Sequence, residues 1–529
     1  MFIDTVDGWA SRRPNRVAHQ YRDWATTYEA LRVHSDALCL WLREQEHLHR
    51  IEGQRPVIVW GHKEPGMLIA FLACAKAGRP YIPVDVSSPP GRLQQIIVSS
   101  GAGILVSPAR VLDPGPGASL PCLGDLSGDS PCYAPYLGQI PPPGWRIKDD
   151  DICYVIYTSG STGVPKGVQI TLRALESFLN WVTGLFRPRE GAETFLNQAP
   201  FSFDLSVMDL YLSLVSGGTL WSIDREHATN PAELFRSLAR SRITFWVSTP
   251  SFAEMCLADP AFDATLLPEL RCFLFCGEVL TNDTAARLKS RFPSARVENM
   301  YGPTETTVAV TSLTVTNELV AAAKPLPVGR AKPDCRILIC RPQELTDLIE
   351  RHSGRLPAPL RPLRDGERGE IVIAGPSVSA GYLNNPVQTE KAFFTWEEDG
   401  RLWRAYRTGD CGYYEGGLLF YQGRLDSQLK LHGYRIEPGE IEENLRRVAW
   451  VDNAVVLGVE KDGRIAYLKA FIVTSKPPHD PFEARRRLRE SLQERLPAYM
   501  LPRSFVFIDR LPMTPNGKVD RRRLLEEYR

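Results

Sequence analysis

The chain has 529 residues, 43% of them apolar and 24% charged, with 63 Lys and Arg against 62 Asp and Glu. This length exceeds one compact core, so two or more domains are expected, and the ordinary composition excludes wholesale disorder. A formal net charge of +1 argues against a nucleic-acid binder, and no apolar run approaches the ~18 residues that cross a bilayer, so no membrane insertion is expected.

The opening Met1-Phe2-Ile3-Asp4 lacks the basic, apolar and small-residue order of a secretion signal, so a cytoplasmic location is expected. The 11 cysteines include no C-x-x-C pair, which favours reduced thiols over a metal or disulfide framework. Short β-branched runs at Val57 to Trp60, Gly103 to Val106, Ile152 to Tyr157, Thr219 to Ile223, Thr244 to Val247 and Cys272 to Phe275 alternate with amphipathic or turn-rich segments. That alternation predicts an α/β fold with largely parallel, buried strands. The stretches 108–145 and 352–369, rich in Pro with Gly or Arg, read as surface loops without chemistry. From Gly369 the texture changes to glycine-punctuated strands, as in Glu370 to Gly375, which predicts a small antiparallel barrel-like subdomain. Past Asp426, a strand candidate at Asn453 to Val459, a helix candidate at Pro481 to Arg495 and a basic helix near Arg521 to Tyr528 predict a small α+β lid. The expected division is a core over 1–425 and a lid over 426–529.

One segment carries chemistry on its face. Tyr157 to Val168 follows a strand-like run and gathers Thr158, Ser159, Gly160, Ser161, Thr162, Gly163, Lys166 and Gly167. Glycines let backbone N–H groups approach a polyphosphate, hydroxyls donate to it, and Lys166 adds charge. The spacing differs from a Walker A loop, because Val164 and Pro165 separate Gly163 from Lys166 and Gly167 follows in place of Ser or Thr.

Together with later segments in matching order, this loop resembles the phosphate signature of the adenylate-forming superfamily, which holds acyl-CoA synthetases, luciferases and nonribosomal adenylation domains. Asn299 to Thr307 resembles its adenine and magnesium segment; there Tyr301 would stack on adenine, Thr304 would contact the α-phosphate and Glu305 would hold Mg²⁺. Tyr406 to Asp410 resembles the ribose segment, with Asp410 accepting from both ribose hydroxyls. Gly423-Arg424-Leu425-Asp426 resembles the hinge, with Arg424 beside the nucleotide, and Lys430 to Glu437 the loop that crosses to the core. Leu511 to Asp520 resembles the terminal motif, making Lys518 the candidate catalytic lysine. The resemblance implies two half-reactions. A carboxylate attacks the α-phosphorus of ATP, aided by Thr158, Glu305-bound Mg²⁺ and Lys518; then the lid turns about Asp426 and a thiol attacks the acyl-adenylate.

Phe203 to Tyr211 resembles the substrate segment, with Asp204 where amino-acid-activating members keep a carboxylate for the ammonium; otherwise Asp204 caps the following helix. By the same resemblance the pocket walls are Leu205, Met208, Val247, Leu274, Cys276, Met300 and Val308, apolar and mostly bulky, with room for a methyl group. Segments around Asp204, Val247 and Cys276 resemble D-alanine:D-alanyl carrier protein ligases, in which the cysteine crowds an L-methyl; a bland buried cysteine is the alternative. Met300 departs from that pattern and leaves glycine, L-alanine or proline open, and the Pro-rich stretch 108–145, a second departure, leaves open teichoic acid D-alanylation against natural-product assembly. No Gly-Gly-x-Ser stretch could carry a phosphopantetheine, so a separate carrier protein is the expected acceptor, with free coenzyme A as the acyl-CoA synthetase alternative.

Overall fold

The computed structural model describes residues 1–108, 120, 122–127, 130–160, 164–322, 324–461, 464–474, 480–512 and 519–528. A seven-stranded sheet runs in the order Gly381–Tyr382, Lys166–Thr171, Ile152–Thr158, Tyr81–Asp85, Val57–Gly61, Ile104–Ser107 and Cys122–Asp125. Its last five strands are parallel. A nine-stranded sheet has six parallel strands at its centre: Arg296–Tyr301, Cys272–Phe275, Phe245–Ser248, Thr194–Asn197, Thr219–Ser222 and Val17–Tyr21. All six β-branched runs singled out in the sequence are strands, and their near-continuous apolar character follows from burial on both faces.

The helix Leu205–Ser216 is buried along nearly its whole length and joins the two sheets in one apolar cluster. Its Tyr211 hydroxyl lies 2.9 Å from that of Tyr81 on the other sheet. A buried cation makes a second tie. Lys63, just past the strand Val57–Gly61, donates to the carbonyls of Asn197, Gln198 and Ile223 at 2.8–2.9 Å. Three carbonyl acceptors stand in for the water that a buried ammonium loses.

After Arg336 a six-stranded sheet forms, antiparallel except where Arg355–Leu356 runs parallel to Phe393–Glu398. The stretch 108–145 differs from its loop reading. Cys122–Asp125 adds a parallel edge strand on Ile104–Ser107, since four residues bonded to an existing edge need no helical or alternating pattern of their own. Past Asp426 come a two-stranded hairpin, Leu429–Leu431 with Tyr434–Ile436, and a three-stranded sheet, Asn453–Lys461, Arg464–Val473 and Ser504–Ile508. Ala454 and Val456 face one apolar cluster with the helices Pro438–Arg446 and Pro481–Gln493, while Val455 and Leu457 face Leu524 of the terminal helix. That is the period-two alternation of a sheet covered on both sides.

Candidate active site

The chemistry-bearing segments converge because they leave the carboxyl ends of parallel strands, where open α/β sheets form their binding crevice. Ile152–Thr158 runs into the phosphate loop, Thr194–Asn197 into the segment ending at Asp204, Cys272–Phe275 into Cys276, and Arg296–Tyr301 into Thr304 and Glu305. Only a glycine fits at Gly160, since a Cβ on it would sit 1.9 Å from the Val164 carbonyl oxygen.

Glu305 is fully buried and accepts from Arg435 Nη1 at 2.7 and 2.8 Å and from the Tyr382 hydroxyl at 2.8 Å. Burial alone would raise its pKa, but the charges of Arg435 and Lys166 outweigh it and hold the carboxylate at about 2. Lys166 lies 3.7 Å from Glu305 and donates to the Tyr382 hydroxyl at 3.2 Å; burial, and the charge of Arg435, bring its ammonium down to about 8. Thr158 Oγ1 is buried with no hydrogen-bond partner among the described residues. The Tyr301 hydroxyl donates to Asp410 Oδ2 at 2.6 Å, and Arg424 donates to Asp410 Oδ1 at 2.9 Å while its other nitrogens hold Asp426 at 2.5 and 2.9 Å. The expected adenine, ribose and hinge residues thus form one connected chain of contacts.

The seven expected pocket walls, Leu205, Met208, Val247, Leu274, Cys276, Met300 and Val308, are all buried in the same cluster. Asp204 stands at the start of the helix Leu205–Ser216 but makes no capping hydrogen bond, which rules out the capping role. Burial raises its carboxyl to about 6, opposed by a hydrogen bond with Thr304 and aided by the charge of Glu305. The Cys276 thiol donates to the Val308 carbonyl at 3.6 Å, and burial pushes it up to about 12, which opposes formation of a thiolate. Thr307 and Val308 have φ of 61° and 65°, an uncommon left-handed conformation for β-branched residues, held here by Thr307 Oγ1 donating to the Ser377 carbonyl at 2.8 Å.

The lid hairpin is seated on this crevice. Gly433 N donates to Glu278 at 2.7 Å, and a Cβ on Gly433 would lie 2.4 Å from Thr249 Cγ2. Ser159 Oγ donates to the Arg435 carbonyl at 2.7 Å, Gly160 N donates to Glu440 at 3.2 Å, and Glu440 also pairs with the buried Arg92. The expected residues Ser161, Thr162, Gly163 and Lys518 lie outside the described residues. Sequence reasoning gave no role to Arg435, although it stands inside the quoted 430–437 segment, nor to Tyr382 or Glu440. No local signal marks Tyr382 as a partner of Glu305.

Among the described residues no helix is long and apolar enough to cross a membrane, and no three His, Cys, Asp or Glu residues cluster as a metal site. Residues 6–383 match the family described as AMP-binding enzyme, and residues 440–518 match the AMP-binding enzyme C-terminal domain. Two relatives carry the name D-alanine–D-alanyl carrier protein ligase. That of Bacillus cytotoxicus is 47% identical over 529 residues and that of Bacillus thuringiensis strain Al Hakam 47% over 528, each covering 99% of both chains. A solved nonribosomal peptide synthetase protein containing adenylation and PCP domains, bound to a vinylsulfonamide inhibitor, superposes with a TM-score of 0.80 at 25% identity over 99% of this chain and 84% of that one. The Vibrio cholerae adenylation domain AlmE, in complex with glycyl-adenosine-5'-phosphate, shares the fold with a TM-score of 0.77 at 22% identity, covering 100% of this chain and 97% of that one. With both family models matched in chain order and relatives 47% identical over 99% of the chain, the chain belongs to the AMP-binding enzyme family.

Proposed function

We propose that this protein uses ATP to activate D-alanine as its acyl-adenylate and passes it to the phosphopantetheine thiol of a separate carrier protein. The observation that carries this reading is Asp204, a carboxylate that makes no capping hydrogen bond and whose charge acts on the Cys276 thiol, with Met208, Met300 and Val308 buried in the same apolar core. Such surroundings offer an ammonium one partner and leave a methyl group dry. The shared name of the relatives at 47% identity supports D-alanine as that amino acid. The same reading assigns a cytoplasmic reaction, where ATP is available, with teichoic acid D-alanylation as the pathway served.

In the first half-reaction the substrate carboxylate oxygen bonds to the α-phosphorus and the bond to pyrophosphate breaks. A carboxylate needs no base, so the chain's task is to hold the reactants in line and offset charge. Thr158 donates its unpartnered hydroxyl, Lys166 supplies a cation, Asp410 holds the ribose and Lys518 approaches from the lid. A buried, ionised Glu305 and the Thr158 hydroxyl, unpartnered among the described residues, are hard oxygen donors that would suit Mg²⁺. When bound, that ion neutralises charge on the phosphates.

We assign the core to 1–425, the lid to 426–529 and the hinge to Asp426. The lid arrangement described above suits the second half-reaction, because Arg435 occupies Glu305 and the Gly433 loop lies against Thr249. The test is ATP–pyrophosphate exchange over a panel of D- and L-amino acids, followed by thioester formation with carrier protein or coenzyme A. D-alanine and the carrier should dominate. Preference for glycine would support a second reading that Met300, buried in the pocket, favours; preference for coenzyme A would sink carrier loading.

A further inference from the structure

A histidine–aspartate pair that takes no part in the steps above borders a cavity between the core and the lid. The cavity, about 370 Å³, is lined by His62 and Asp85 together with Thr158, Ser159, Thr304, Gln198 and Phe203. These two residues leave adjacent strand ends: Gly61 pairs with Asp85 in the parallel register, which sets the following His62 beside the Asp85 carboxylate. His62 Nδ1 lies 2.6 Å from Asp85 Oδ2, and Asp85 Oδ1 accepts from Ser87 N at 2.9 Å. Burial opposes ionisation of Asp85, but the hydrogen bonds and charge of its partners outweigh it and hold its carboxyl below the usual range. An ionised carboxylate only accepts, so Nδ1 carries the hydrogen and Nε2 presents its lone pair. That Nε2 is buried and has no hydrogen-bond partner among the described residues.

The lid completes the cavity. Tyr434 of the hairpin and Tyr499 stack 3.8 Å apart at 8° and border it with Pro497 and Ala498. The charged and titratable groups around the dyad are Asp85, Glu64 of the same loop, whose carboxylate accepts from His62 N at 2.7 Å, Asp224 and Arg225 beyond the strand Thr219–Ser222, and Tyr434, Arg435 and Tyr499 of the lid. Lys63 is turned away onto its three carbonyls.

We propose that His62 is the general base of the second half-reaction; this rests on the carrier-loading reading. Its Nε2 takes the proton of the pantetheine thiol as sulfur bonds to the aminoacyl carbonyl carbon. The bond from that carbon to the phosphate oxygen breaks, AMP leaves with the electron pair, and the proton stays on an imidazolium whose charge Asp85 offsets. The need is physical. A thiol of ordinary pKa near ~8.5 is only a few per cent thiolate at neutral pH, and a positioned base accelerates such a step about 10²–10⁴-fold. His62 serves only when the lid has closed the cavity, which confines thiol activation to the arrangement described here.

The experiment compares the parent with His62→Gln and Asp85→Asn in single-turnover transfer from preformed aminoacyl-adenylate to holo-carrier protein across pH 5.5–9. The parent should transfer rapidly well below the pH at which the thiol itself ionises. His62→Gln should be about 100-fold slower at pH 7 and keep rising to the thiol's own ionisation, with Asp85→Asn between the two. With a small aromatic thiol that is already ionised at pH 7 as acceptor, His62→Gln should match the parent. Pyrophosphate exchange should stay within about threefold in both variants. An unchanged pH profile in His62→Gln overturns the base, as does equal loss of exchange and transfer, which marks a structural role. Failure of the parent itself to load the carrier would instead overturn the reading on which the base rests.

Discussion

Asp204 is a carboxylate whose surroundings oppose its charge until a substrate ammonium arrives. With its folded pKa near 6 against an ordinary value near 3.8, the folded chain holds a proton there that the unfolded chain has released between about pH 4 and 6. Its contribution to stability therefore falls as pH rises through that window. Binding of an ammonium favours the ionised form, so the KM for D-alanine in pyrophosphate exchange should fall as pH rises through about 6, and Asp204→Asn should flatten that dependence while raising KM more than about tenfold. Cys276→Ala removes the thiol lying 3.6 Å from the Val308 carbonyl and should admit L-alanine, read as a lowered D over L ratio in exchange; an unchanged ratio leaves Cys276 as packing alone. Lys518→Ala should cripple exchange by several kcal/mol if the ammonium meets the transition state, and a loss under ~1 kcal/mol would remove it from the mechanism.

At the scale of elements, the proposed hinge at Asp426 leads into a short hairpin that the core holds through Gly433 N to Glu278, Ser159 Oγ to the Arg435 carbonyl and the Arg435–Glu305 pair. Asp426 is exposed and tied by Arg424, which also grips the carboxylate expected on the ribose, so the hinge and the nucleotide site share one guanidinium. Asp426→Pro fixes one backbone angle and should leave pyrophosphate exchange near parental levels while abolishing carrier loading. Parallel loss of both half-reactions would count against rotation at this residue. The loop read as phosphate-binding stood out because its glycines, hydroxyls and lysine fall within ten consecutive positions, 158–167. Tyr382 did not, since its hydroxyl reaches Glu305 across 77 residues from a two-residue strand with no pattern of its own.

For the whole molecule, the Arg435–Glu305 pair is the strongest visible statement of where the lid sits. Removing one partner of a buried ion pair typically costs about 3–5 kcal/mol because the other charge is left unpaired. Arg435→Gln should therefore depopulate this lid arrangement, slow thioester formation at least tenfold, spare pyrophosphate exchange, and raise the protease sensitivity of the hairpin Leu429–Ile436. Unaltered proteolysis with unaltered transfer would show that the pair does not set the lid position.

By itself the sequence determined the class of fold and the kind of chemistry, because both are written in short runs: β-branched segments that must be buried, and a loop whose residue types suit a polyphosphate. Through resemblance it also named seven expected pocket walls from Leu205 to Val308, all of them buried in the structure. Only the tertiary structure decided that these seven side chains meet in one cluster, that Asp204 is free of its helix, that Arg435 takes Glu305 across 130 residues, and that His62 stands against Asp85 on a shared cavity. Hydrogen bonds and ion pairs between distant residues depend on how sheets and lid pack, and no local periodicity encodes them.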